Sequence, residues 1–238
     1  MLELDRVVFF GRTWDESLAM YALQAPDLAG KRVLDCPGGP GGLVAGAVER
    51  GLDITAVDPQ YNLSHEALEA AGRHDVQLTL RLAEADPSLA TSPKETAEYA
   101  RLKVEALESF LVAFKHHPNR FIAGALPALP FEDAAFDLVL SGHLLFTYAP
   151  LSMGGIMKAN TFDLDFHITA ARELVRVGRE VRIYPTYAFS GDTRRQPWVE
   201  PVMEALRGDG HGVDYVPSQW TQQSHVDFND CLRVVRRT

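Results

Sequence analysis

The residues best equipped for chemistry lie in RVLDCPGGPGGLVAGAVERG (32–51), where an apolar run ends on Asp35, passes four glycines and two prolines, and becomes helix-like. Glycines let a ligand approach the backbone, and a helix N-terminus offers free N–H groups. Charge argues against a pyrophosphate in this loop, because Asp35 at its mouth would repel an anion. The G-x-G-x-x-G spacing begun by Gly39 and Gly41 also meets Val44 at its third position. A carboxylate there suits a ligand with a cationic end. Asp58 closes the next apolar run, TAVDPQY, at a distance from the glycines where an acid accepts hydrogen bonds from ribose hydroxyls in Rossmann-like folds. Among the other reactive types, His143 follows a third apolar run in SGHLLFTY and is a candidate general base, with Tyr148 beside it as a candidate pocket wall. His167 adjoins the apolar stripe of DLDFHITAARELVRV; it is a further candidate for the site, against the plainer role of a structural hydrogen bond.

The elements that must position these residues are legible as apolar runs. RVLDC (32–36), DITAVD (53–58), RFIAG (120–124), FDLVLSG (136–142), EVRIYP (180–185), GVDYVP (212–217) and CLRVVRR (231–237) are predicted strands, and 41–51, 63–73, 163–177 and 197–208 are predicted helices. This alternation predicts an α/β fold: a Rossmann-like, doubly wound, seven-stranded and mostly parallel sheet. The last two strands have no helix between them and are expected to pair antiparallel, leaving an antiparallel C-terminal strand at the sheet edge. Two stretches stand outside the alternation. Residues 1–31 read as an N-terminal helical cap, with Arg12, Trp14 and Tyr21 able to close a pocket, and residues 74–117 read as a helical insertion. In the insertion, SPKE supplies Ser92 as N-cap, Pro93 in the first turn and Glu95 for a capping box. Ala100, Val104, Leu107, Leu111 and Phe114 then form a stripe expected to pack on the main domain, a lid or dimer surface being the alternative. The whole chain, 1–238, reads as a single domain.

Lys plus Arg number 23 against 32 Asp plus Glu, a net charge of −9. That balance argues against nucleic acid or an anionic membrane surface as partner. Cys36 and Cys231 are far apart and form no redox or metal motif. The eight histidines lack ligand spacing, so no metal site is expected. No apolar run is long enough for a membrane span, and MLELDRVVFFGR lacks the basic start of a signal peptide, so a cytoplasmic location is expected.

Three blocks in order, VLDCPGGPGG, ITAVDPQY and GALPALPFEDAAFDLVLSGHLLFTY, resemble the class I S-adenosylmethionine-dependent methyltransferases over roughly residues 32–185. The first block resembles a branch with a D-C-P-x-G-P loop. The resemblance implies S-adenosylmethionine as cofactor, held by Asp35, Cys36, Pro37, Gly38, Gly39, Asp58, Pro59, Ala125, Leu126 and Ser141. It implies methyl transfer, with His143 at the end of the fourth strand as base and Tyr148 lining the acceptor pocket; the acidic charge points to a small-molecule acceptor, the helix stripe keeps His167 as a further candidate, and the stripe of the insertion is where an oligomer contact could form. Two positions depart from the family pattern: Pro37 replaces its first glycine, and Ala125 stands where an acid commonly meets the adenine. They support the alternative of a degenerate fold serving as a non-catalytic binding or scaffold protein.

Overall fold

The chain is described by a computed structural model covering residues 3–85, 93–189, 194–221 and 228–237. Among these, seven strands form one sheet in the order β3-β2-β1-β4-β5-β7-β6. The strands are β1 (Arg32–Asp35), β2 (Asp53–Asp58), β3 (Phe121–Ala123), β4 (Phe136–Gly142), β5 (Gly178–Tyr184), β6 (Gly212–Pro217) and β7 (Asp230–Val235). β1 to β5 pair in parallel, whereas β7 runs antiparallel to both β5 and β6. The expected antiparallel pair therefore forms at this end of the sheet, with a difference of position. β7 is its inner member and β6 is outermost. The burial pattern accounts for this: Cys231, Leu232 and Val234 are buried, while β6 buries only Val213 fully.

The helices divide between the two faces. One face is covered by α1 (Trp14–Met20), α2 (Leu43–Glu49), α3 (His65–Ala85) and α4 (Pro93–His116), whose apolar residues share a core with Val33, Ile54, Ala56, Leu138 and Leu140. The other carries α5 (Leu164–Val177) and α6 (Val199–Gly208), packed on Leu34, Val57, Val139, Val181 and Ile183. Each strand thus alternates between two cores, as the period of two requires.

α3 continues to Ala85 instead of stopping near residue 73, so the boundary expected at 74 falls inside a helix. α4 lies against α3 and α2. Its buried face holds Lys103, Ala106, Leu107, Phe110, Leu111 and Ala113, and Val104, expected in the stripe, is 42% exposed. The position expected for Val104 is taken by Lys103, whose Nζ reaches Glu16 Oε1 on α1 at 2.6 Å with both side chains buried. Ser92 lies outside the described residues, as does the Glu95 side chain; Pro93 opens α4 as expected.

The N-terminal cap is mostly extended chain ahead of its helix. Residues 6–13 form a strap held at three places. The Arg6 guanidinium and the Phe9 N–H both bond the buried Asp75 carboxylate on α3, the latter at 2.6 Å. Val8 N–H donates to the Tyr148 hydroxyl at 3.1 Å. Arg12 O accepts from Gly42 N–H at 2.8 Å, which seats the strap on the glycine loop. Gly11 is required at this crossing, since a Cβ there would lie 2.1 Å from Pro40 O. Thr13 then caps α1 through a capping box with Glu16.

Candidate active site

β1, β2 and β4 end together on Asp35, Asp58 and Gly142, beside the point where the strand order reverses between β1 and β4. Open α/β sheets bind ligands in this crevice. Strand parity aims both acids the same way: Asp35 is in phase with Val33, and Asp58 with Ile54 and Ala56, all facing the core of α1 to α4. A cleft there is lined by Asp35, Pro37, Gly38, Gly39, Asp58, Gly142, His143, Thr147 and Tyr148, and roofed by strap residues including Phe10, Gly11 and Arg12.

The loop carrying Pro37 is tied to both neighbouring strands. Cys36 N–H donates to Leu140 O and Gly38 N–H to Val57 O, each at 2.9 Å, so the anchoring needs no donor at position 37. Gly39 takes a left-handed conformation (φ 50°) that suits glycine. Its N–H donates to Asp58 Oδ2 at 3.1 Å, and its carbonyl accepts from the Tyr61 hydroxyl at 2.6 Å. Asp58 Oδ1 accepts from Gln60 N–H at 2.9 Å. Asp58 therefore shapes the loop, and each oxygen keeps a lone pair for a ligand hydroxyl.

The electrostatics at this end call for a cation. Burial raises the Asp35 carboxyl to about 8, with Asp58 the next cause. Burial also raises Asp58, to about 6, against the opposing pull of its two backbone donors. Nothing among the described residues donates a hydrogen bond to the Asp35 carboxylate. A buried acid without a donor is held near its protonated form and is stabilised by a bound positive group.

His143 sits at the β4 terminus with positive φ (55°), its N–H bonded to Tyr184 O at 2.7 Å. The rings of Tyr184, Phe189 and Trp220 surround its imidazole edge-on at 5.4, 6.2 and 5.8 Å between centroids. Burial, then Arg12 and Lys103, push its pKa well below the ordinary value, so the imidazole is neutral at pH 7. Its Nε2 and the Thr147 Oγ1 are buried with no hydrogen-bond partner among the described residues. Each such atom costs about 1–3 kcal/mol, which marks both as groups that a ligand would satisfy. Tyr148 lines the cleft as expected, but its hydroxyl anchors Val8 and burial raises it to about 12, so it acts as wall and fastener.

Several expected site residues lie outside the cleft. Cys36 and Ser141 are one position out of phase with Asp35 and Gly142, and so point toward the α5–α6 side. Pro59, Ala125 and Leu126 do not line the cleft either. His167 belongs to the opposite core: Nε2 accepts from Phe146 N–H at 2.9 Å, Nδ1 lies 2.8 Å from Asp163 O, and its ring meets Trp198. It holds the β4–α5 connection to the helix, the structural role the sequence left open. Arg12 was legible as a pocket-closing residue. Phe189 and the strap anchor Asp75 carried no local signal, because nothing near them in sequence indicates the cleft; Thr147 lies in SGHLLFTY, between the candidates His143 and Tyr148, but its hydroxyl did not stand out from the packing residues around it.

No family model matches the chain. An uncharacterized protein of Methanocaldococcus jannaschii is 27% identical over 217 residues, covering 90% of this chain and 92% of the relative. Among solved structures, the chain is similar to the 1,6-didemethyltoxoflavin-N1-methyltransferase of Burkholderia thailandensis, crystallised with 1,6-didemethyltoxoflavin and S-adenosylhomocysteine bound. That similarity has 17% identity, a TM-score of 0.43, and coverage of 94% of this chain and 80% of the other. It is also similar to a SAM-dependent methyltransferase of Thermotoga maritima described as a possible histamine N-methyltransferase, at 12% identity and a TM-score of 0.40, covering 93% and 87%.

Proposed function

We propose that the cleft binds S-adenosylmethionine and that the protein transfers its methyl group to a small-molecule acceptor. The observation that carries this reading is the Asp35 carboxylate, buried at the end of β1 without a donor among the described residues, sharing the cleft with Asp58 at the end of β2. The residues present fit the cofactor. Asp35 would meet the ammonium of its methionine end, Asp58 would accept from the ribose hydroxyls, and the loop Pro37 to Gly39 would lie along it. When bound, the cofactor supplies an electrophilic methyl group.

The chain's own part is to orient and to exclude water. The strap over the glycine loop and the wall of Tyr21, Tyr148 and Phe189 narrow the cleft, and a ligand seated there would displace water and strengthen the charge interactions inside it. His143 and Thr147 face the same cleft as hydrogen-bonding groups for an acceptor. As a general base the free imidazole is weak, since burial and two neighbouring cations lower its affinity for a proton. Positioning is therefore its main role. The test is calorimetric titration with S-adenosylhomocysteine. Binding that is lost in Asp35→Asn supports the reading, and absence of binding by the wild type overturns it.

A further inference from the structure

Two neutral polar atoms beside the end of β4, His143 Nε2 and Thr147 Oγ1, are buried with no hydrogen-bond partner among the described residues. Both side chains line the cleft, and Thr147 is only 3% exposed. The charged groups nearby are engaged with the protein itself. Glu16 bonds Lys103 and lies in the field of both Lys103 and Arg12. Arg12 Nη1 donates to Gly11 O at 3.1 Å, and its guanidinium carbon lies 4.8 Å from the Phe10 ring centroid and 5.0 Å from that of Trp220. What this part of the cleft lacks is therefore a neutral hydrogen-bonding partner. Flat apolar surface borders it: Phe189 lines the cleft with its ring centroid 6.2 Å from that of His143, and Phe10 and Tyr148 belong to the same lining.

We propose that His143 and Thr147 together hold the hydroxyl group of an uncharged hydroxyaryl molecule, whose ring lies against Phe10, Tyr148 and Phe189. Each component answers one observation. A hydroxyl both donates and accepts, so with the Thr147 rotor as complement it satisfies the pair whichever imidazole nitrogen carries the proton. An ether or carbonyl only accepts and serves one tautomer alone. An ammonium only donates, and it would bring an unpaired charge into a buried place. Aromatic walls favour a flat ring over a saturated one. The choice of hydroxyl over carbonyl rests on the methyl-transfer reading, in which the oxygen–carbon bond forms as the carbon–sulfur bond breaks and the hydroxyl proton passes to water. Recognition of a hydroxyl by this pair does not rest on it.

The experiment is titration calorimetry and thermal shift on the full chain with phenol, 1-naphthol and 2-naphthol, each against its methyl ether. Decahydro-2-naphthol and 2-naphthoate serve as comparisons, all with and without S-adenosylhomocysteine. At least one hydroxyaryl is expected to bind roughly 10-fold or more tightly than its ether, the size of one orphaned polar atom satisfied. The saturated alcohol and the carboxylate should bind more weakly. The ratio of hydroxyl to ether affinity is the readout, because a general disturbance of the cleft lowers both. Thr147→Val should bring that ratio toward one without lowering the melting temperature of the free protein, since its hydroxyl has no partner to lose. Thr147→Ser should keep the discrimination. His143→Asn removes Nε2 with a residue that tolerates the left-handed backbone at 143, and gives a second probe should Thr147→Val not fold. Equal binding of hydroxyaryls and ethers, no hydroxyaryl binding, naphthoate binding as tight as naphthol, or a ratio unmoved by Thr147→Val and His143→Asn would overturn the inference. Discrimination without S-adenosylhomocysteine binding would leave it standing and remove the cofactor reading instead.

Discussion

Asp35 concentrates the conflict between stability and function in this protein. Its folded-state pKa of about 8 stands above the ordinary 3.8, so the folded form keeps a proton that the unfolded chain has already released. Stability is thereby lost as pH rises from near the ordinary value toward the folded one. Asp35→Asn removes that dependence while preserving shape. The variant is expected to melt higher than wild type, by a margin that widens between pH 5 and pH 8, while losing S-adenosylhomocysteine binding. Parallel melting curves on both proteins across that range check the sign. Asp58 differs because two backbone N–H groups bond it, so Asp58→Ala should weaken ligand binding and loosen the glycine loop together. Hydrogen exchange at Gly39 and Gln60 would reveal the loosening. At this scale the sequence was informative wherever strand parity could be counted. Leu138 and Leu140 put Gly142, not Ser141, on the cleft side, and Val33 puts Asp35, not Cys36, there.

The segments that complete the cleft depend on contacts too distant in the chain to be read from it. Glu16 serves twice, closing the Thr13 capping box with one oxygen and holding Lys103, 87 residues away, with the other. Burial lowers the Lys103 pKa and Glu16 opposes it, while the charges of Lys103 and Arg12 keep the Glu16 carboxylate ionised. Breaking a buried pair leaves an uncompensated charge, so Lys103→Met and Glu16→Gln should each lose about 3–5 kcal/mol in denaturant unfolding. The double variant should recover much of this, since neither charge remains and Gln still fits the capping box. A sequence pattern of apolar residues alone placed Val104 on the buried face, because it could not anticipate that a paired lysine would occupy it. The start of α4 and the strands, by contrast, followed from proline position and apolar runs.

At the scale of the whole molecule, the alternation of strands and helices was enough to obtain the sheet and to place the cleft at the carboxyl ends of β1, β2 and β4. It did not reveal which face each helix covers, and that decides function here. His167 lies beyond the sheet from the cleft, fixing the β4–α5 connection through two hydrogen bonds. His167→Ala is therefore expected to destabilise by roughly 2–4 kcal/mol while leaving ligand affinity unchanged. A loss of affinity without loss of stability would place it in the site after all. The central claim is that Asp35 and Asp58 form a cation-seeking ligand site, and titration of S-adenosylhomocysteine between pH 6 and pH 8 tests it most directly. Pairing Asp35 with the ligand ammonium should lower its pKa from about 8. Affinity should then rise with pH by up to about tenfold per unit, with a proton released to buffer on binding at pH 7. In Asp35→Asn both the affinity and its pH dependence should be lost. No binding, or binding that neither releases a proton nor depends on Asp35, would contradict the account.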